Sequence, residues 1–176
     1  MVTDAITTQV VNSSAYFFNN TAQLIDCKCT RGAESTLFTS SGMAAITAML
    51  SALVPAGGHI VTTTDCYMKT RIYIEEHLSN KEIMVTTIDP ADVEALESEL
   101  DNNKVSLFFT KSPTNPFLRC VDIKRVSELC HRKGALVCID GSLATPLNQK
   151  ALALGADLVL YSATKYIGGH NDLCKE

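Results

Sequence analysis

Ile123-Lys124-Arg125-Val126-Ser127-Glu128-Leu129-Cys130-His131-Arg132-Lys133-Gly134, followed at once by Ala135-Leu136-Val137-Cys138-Ile139-Asp140, carries the pattern that decides the fold. Ile123, Val126, Leu129 and Cys130 recur at helical spacing, so a helix over 122–133 has one apolar side. Gly134 stops it, because glycine takes the left-handed conformation that closes helices. The apolar run after it reads as a buried strand over 136–139 with an aspartate at its tip. The same alternation extends in both directions. Strands are expected at 36–40, 59–63, 83–88, 105–110, 136–139 and 158–162, and helices at 43–53, 67–79, 91–102, 122–133 and 147–153. Asp89-Pro90 precedes the helix at 91–102, whose Val93, Leu96 and Leu100 keep the helical period. Strand–helix alternation predicts an α/β fold, a mostly parallel sheet with helices on both faces.

The 176 residues suffice for one domain with a core. A hydrophobic content of 46% with 19% charged residues suits an ordered globular chain. The net charge of −4, with acids and bases interspersed, argues against a nucleic-acid partner, which needs a basic face. No apolar run approaches the roughly 20 residues of a membrane span, so no membrane partner is expected. The N-terminus lacks the basic-then-apolar order of a secretory signal, and no transit peptide is visible. Seven scattered cysteines, an odd number mostly within apolar runs, fit buried thiols in a reducing compartment. Cys27-Lys28-Cys29 has no second Cys/His pair at suitable spacing, so no metal site is expected. His59, His77, His131 and His170 are separated in sequence and read as ordinary turn or helix residues. Residues 1–31 show little periodicity and read as an extended arm, leaving 32–176 as the α/β domain.

Three segments bear on chemistry. In Ser162-Ala163-Thr164-Lys165-Tyr166-Ile167-Gly168-Gly169-His170, a lysine follows the apolar run Leu158-Val159-Leu160-Tyr161. An uncharged lysine there forms an imine with a carbonyl compound, and the hydroxyls of Ser162 and Thr164 suit an anion. A carbonyl compound bearing a phosphate satisfies both, and pyridoxal 5′-phosphate is one. The plainer reading is a solvated lysine in a strand-end loop. Asp140, at a strand tip, suits the acid that such a cofactor needs at its ring nitrogen, because a protonated ring is the better electron sink. It equally suits a helix cap or turn. Ser40-Ser41-Gly42-Met43 opens a helix, where free N–H groups attract phosphate.

Ser41-Gly42-Met43, Ser112-Pro113-Thr114-Asn115-Pro116, Asp140 and Ser162-Ala163-Thr164-Lys165 follow one another in the order and spacing of a known family. They resemble the Cys/Met-metabolism enzymes dependent on pyridoxal phosphate, which include the cystathionine synthases and lyases. The stretches 55–67 and 144–157 look most like the plant-type cystathionine γ-synthases. The resemblance covers nearly the whole chain. It implies the large cofactor-binding domain of fold-type I, aminotransferase-like enzymes. It also implies that Lys165 carries the cofactor, and that Asp140 meets the ring nitrogen. Ser162 and Thr164, with the N–H groups of Gly42 and Met43, would hold the phosphate. Tyr67 would stack on the ring, and Asn115 would contact the cofactor's phenolic oxygen and the substrate. From the residues alone, Tyr67 reads as a core tyrosine and Asn115 as part of a proline-bracketed turn.

Departures from the family pattern are visible. A Tyr-x-Arg segment that reaches the neighbouring subunit's cofactor phosphate is expected to be absent, since Leu24-Ile25-Asp26 runs through Arg31 straight into Gly32-Ala33-Glu34. The chain stops at Asp172-Leu173-Cys174-Lys175-Glu176, so the family's C-terminal domain, with the arginine for the substrate carboxylate, is expected to be missing. Lys111 stands where the family often has Glu, and Tyr161 where it often has His. The function implied by resemblance is γ-replacement: cysteine displaces an activated group from homoserine, in methionine biosynthesis. A homo-oligomer in the plastid stroma or cytoplasm would carry it out. The alternatives are a non-catalytic relative that binds the cofactor weakly or pairs with complete subunits, and a related C–S lyase.

Overall fold

A computed structural model describes residues 39–167 together with Ala33, Thr36 and Leu37. The expected arm at 1–31, Cys27-Lys28-Cys29 and the tail from Gly168 lie outside the described residues. The chain divides between Ser40 and Ser41, and the second unit is the one whose architecture follows.

Five strands form one sheet: β1 (His59–Thr63), β2 (Met84–Ile88), β3 (Leu107–Lys111), β4 (Leu136–Asp140) and β5 (Leu158–Leu160). Their order is β2-β1-β3-β4-β5, and every pair is parallel. Winding runs one way from β1 to β2 and the other way from β3 to β5. Because strand–helix–strand crossovers are right-handed, this reversal moves the helices from one face to the other. Helix α1 (Gly42–Leu53) and helix α2 (Met68–Ile72), which widens into a π-helical turn at Tyr73–Leu78, cover one face. There Ile46, Leu50, Ile74 and Leu78 pack against Ile60, Leu107, Phe109 and Cys138. On the other face, α3 (Val93–Asn102) and α4 (Ile123–Arg132) bring Leu96, Leu100, Val126 and Leu129 onto Val61, Phe108, Val137 and Ile139. Neighbouring strand residues thus serve opposite cores, as the pleat requires. Each fully buried side chain of this kind contributes about 1.5–3 kcal/mol.

The helices start where their caps dictate. Ser41 Oγ accepts from Ala44 N, Asp92 Oδ1 from Ala95 N and Asp122 Oδ1 from Arg125 N. The expected helices at 91–102 and 122–133 therefore begin a residue or two later, at Val93 and Ile123. Three expectations are corrected. Thr36, Leu37, Thr39 and Ser40 form no strand. The helix at 147–153 is two short pieces, α5 (Thr145–Asn148) and a 3-10 turn at Leu152–Leu154, because Gln149 is extended at φ −138° and ψ 115°. His59 is neither in a turn nor in a helix. It opens β1, is buried, and its Nε2 lies 2.8 Å from Thr86 Oγ1.

Candidate active site

The carboxyl ends of the strands are where an open parallel sheet presents its loops to a ligand. At the end of β4, Asp140 is buried, 7% exposed, on the α1 side of the sheet. Both of its oxygens are engaged. Oδ1 accepts from Ser142 N at 3.0 Å, and Oδ2 accepts from Lys111 Nζ at 2.9 Å. Lys111, 4% exposed, ends β3 and is the register partner of Asp140. Parallel pairing therefore sets the two side chains next to each other. Ser142 in turn accepts from Ser162 N through its Oγ at 2.8 Å. β5 ends at Leu160, short of the expected 162, and this bond holds the chain just beyond its end. Tyr161 lies against Gly141: a Cβ at position 141 would sit 2.9 Å from Tyr161 Cε1, closer than a side chain tolerates.

Ser162 faces the start of α1. A Cβ on Gly42 would meet Ser162 Cβ and Oγ at 3.5 Å. Lys165 follows in a tight turn, with its N–H donating to Ser162 O at 3.1 Å, and its side chain is exposed. Its ψ of −117° breaks the π-helical turn at Ala163–Ile167. Thr164 is half-buried in the same turn. Gly42, Asp140 and Ser162 are thus linked through α1, β4 and β5, and Thr164 and Lys165 follow Ser162 in the turn after β5. Tyr67 and Asn115 form a second group, on the turns after β1 and β3. Tyr67, 40% exposed, precedes α2, and Thr70 Oγ1 of that helix donates to Met43 Sδ at 3.7 Å. Asn115 is exposed, and its N–H donates to Asp65 O at 3.2 Å. No contact joins Tyr67 or Asn115 to Asp140 or Lys165 among the bonds of the described residues.

Reading residues one at a time missed the supports of this edge. Ser142 links β4 to β5. Arg119 donates through Nε and Nη2 to Asp65 Oδ2 at 3.0 and 2.6 Å, and through Nη1 to both oxygens of Asp89 at 2.9 and 3.0 Å. The loop after β3 is thereby tied to those after β1 and β2. The Ala91 N–H, and then Arg119, hold the Asp89 carboxyl below its ordinary range. Charge alternation in the sequence does not reveal such a brace, since the partners lie 30 and 54 residues from Arg119. Among the described residues, no group of three or more His, Cys, Asp or Glu is placed to hold a metal ion, and no helix is long and apolar enough to cross a membrane.

Residues 19–175 match the family of Cys/Met metabolism PLP-dependent enzymes. The chain belongs to that family. It is 65% identical to cystathionine gamma-synthase 1, chloroplastic, of Nicotiana tabacum over 198 positions, covering 98% of this chain and 37% of the relative. The protein of the same name from Arabidopsis thaliana is 63% identical, with 98% of this chain and 35% of the relative covered. This family member thus spans about a third of the length of those curated relatives. The tobacco alignment is longer than the 176 residues of the chain, so the relative has residues without counterparts here. A crystal structure of metB from Corynebacterium glutamicum, 35% identical, superposes with a TM-score of 0.79 over 82% of this chain and 37% of that one. The parallel sheet with helices on both faces is the fold-type I arrangement of these neighbours.

Proposed function

We propose that this family member is the lysine-bearing part of the cofactor domain of a plant-type cystathionine γ-synthase. The observation that carries the reading is the 65% identity to the tobacco synthase across 98% of the chain. The geometry agrees with a pyridoxal phosphate site. Gly42 approaches Ser162 closely, so a phosphate there would lie between the first amides of α1 and a hydroxyl. Ser41 Oγ already takes the Ala44 N–H, leaving those of Gly42 and Met43 for the anion. An acid and an amine follow on the same edge, at Asp140 and Lys165.

The cofactor, when bound, supplies an aldehyde for exchange between amines and a ring that withdraws electrons from the bound amino acid. Lys165 Nζ would hold that aldehyde and, as a free amine, would take and return protons at the substrate's carbons. Ser162 and Thr164 hydroxyls, with the N–H groups of Gly42 and Met43, would hold the phosphate. Tyr67 would cover one face of the ring and exclude water from it. Asn115 would orient the phenolic oxygen and the substrate, and Asp140 would meet the ring nitrogen. The substrates are an activated homoserine and cysteine, and the reaction is γ-replacement. The whole protein works as a homo-oligomer in the plastid stroma, a location supported by the chloroplastic relatives.

A second reading is a non-catalytic relative that binds the cofactor weakly or pairs with complete subunits. The relative's residues that lack counterparts here favour it. A related C–S lyase is a third, since cystathionine beta-lyase of Lactococcus lactis subsp. cremoris is 40% identical over 76% of the chain. Titrating the purified chain with pyridoxal phosphate, then dialysing and assaying, tests these readings. We expect a saturable imine absorbance that dialysis removes, with little cystathionine formed from an activated homoserine and cysteine. No saturable absorbance would contradict a cofactor site. Steady cystathionine formation would exclude the non-catalytic reading, and cystathionine breakdown without formation would favour the lyase.

A further inference from the structure

We propose that Lys111 acts as a resident counter-ion for Asp140, so that a pyridoxal compound bound here keeps its ring nitrogen unprotonated. The inference rests on the cofactor site proposed above. Asp140 is the acid at the strand tip, and its two oxygens are already committed, one to Lys111 Nζ at 2.9 Å and one to Ser142 N at 3.0 Å. Both members of the ion pair are buried, so water does not screen them and the charge of each is met by the other. Their Cα atoms are partners in parallel register, at the last rung of the β3–β4 ladder.

A ring nitrogen brought to Asp140 meets a carboxylate whose charge is balanced. A pyridinium there would place a second cation beside the Lys111 ammonium, and like charges a few ångströms apart disfavour one another's charged form. The neutral pyridine avoids this. It can also accept a hydrogen bond from Lys111, which has three donor hydrogens and has given only one of them to Asp140 among the described contacts. Lys111 is thus a positioning residue that lowers the electron-withdrawing power of the ring without touching the amine chemistry at Lys165.

The test reads the ring nitrogen directly. Pyridoxal phosphate labelled with nitrogen-15 in its ring is bound to the wild-type chain near pH 7, and its chemical shift is compared with those of free pyridine and pyridinium forms. The expected result is a pyridine-like shift that moves to the pyridinium side in Lys111→Met. A parallel measurement compares pyridoxal phosphate with its carbocyclic analogue, in which C–H replaces the ring nitrogen. Wild type should bind the two within about threefold. Lys111→Met should favour the nitrogen ring by at least ~10-fold, as a regained charge-assisted hydrogen bond would give. A pyridinium shift in the wild-type chain would overturn the inference while leaving the cofactor site intact, and this arm needs no variant to fold. Failure of the wild-type chain to bind the labelled compound would overturn both.

Discussion

Lys111 and Asp140 show how a residue's meaning depends on its neighbour across the sheet. Asp140 is legible in the sequence as an acid at the tip of an apolar run. Lys111 is legible only as a departure from the family's usual Glu. That the two touch depends on β3 and β4 being adjacent and in a particular register, which apolar periodicity does not specify. The pair also bears on stability. Removing one partner of a buried ion pair leaves the other charge uncompensated, at a cost of about 3–5 kcal/mol. Lys111→Met should therefore lower the unfolding free energy of the cofactor-free chain by that amount, measured by urea denaturation. A loss below about 1 kcal/mol would mean that water reaches Asp140 and that the pair is not dry.

Apolar spacing finds α3 and α4 to within a residue or two, while the caps that fix their first residues, Asp92 and Asp122, are not singled out by it. The expected 147–153 helix divides because Gln149 leaves the helical conformation, which strand–helix alternation does not reveal. His59, expected in a turn or helix with the other histidines, opens the strand expected at 59–63. Burial lowers the His59 pKa from its ordinary 6.5, and the coulombic pull of Glu99 only partly opposes this. A depressed pKa gives stability that is fully present above the unfolded value and is lost as pH falls through the folded one. Stability should thus decline below about pH 6.5, and His59→Gln, which retains a side-chain group for Thr86, should flatten that acid limb in thermal melts. An unchanged acid limb would place the sensitivity elsewhere.

Across the described unit, alternating strands and helices made the parallel sheet and its two covered faces legible, because the right-handed crossover leaves few other arrangements. Strand order was not legible, since it is fixed by side-chain packing between segments distant in sequence. The carboxyl-end loops also carry apolar side chains that the unit leaves uncovered: Phe117 is 70% exposed and Leu147 is 88% exposed. We take these residues as the test of the proposed association between copies. Sedimentation velocity should show concentration-dependent self-association that Phe117→Ser with Leu147→Ser reduces, while the melting temperature moves little. A monomer at all concentrations would contradict the homo-oligomer proposed above. The central claim is that this edge of the sheet binds pyridoxal phosphate through Lys165. Borohydride reduction of the chain with the cofactor, followed by peptide mapping, tests it most directly. The account predicts a pyridoxyl group on Lys165 that is lost in Lys165→Ala; a group found on other lysines, with Lys165 unmodified, would contradict it.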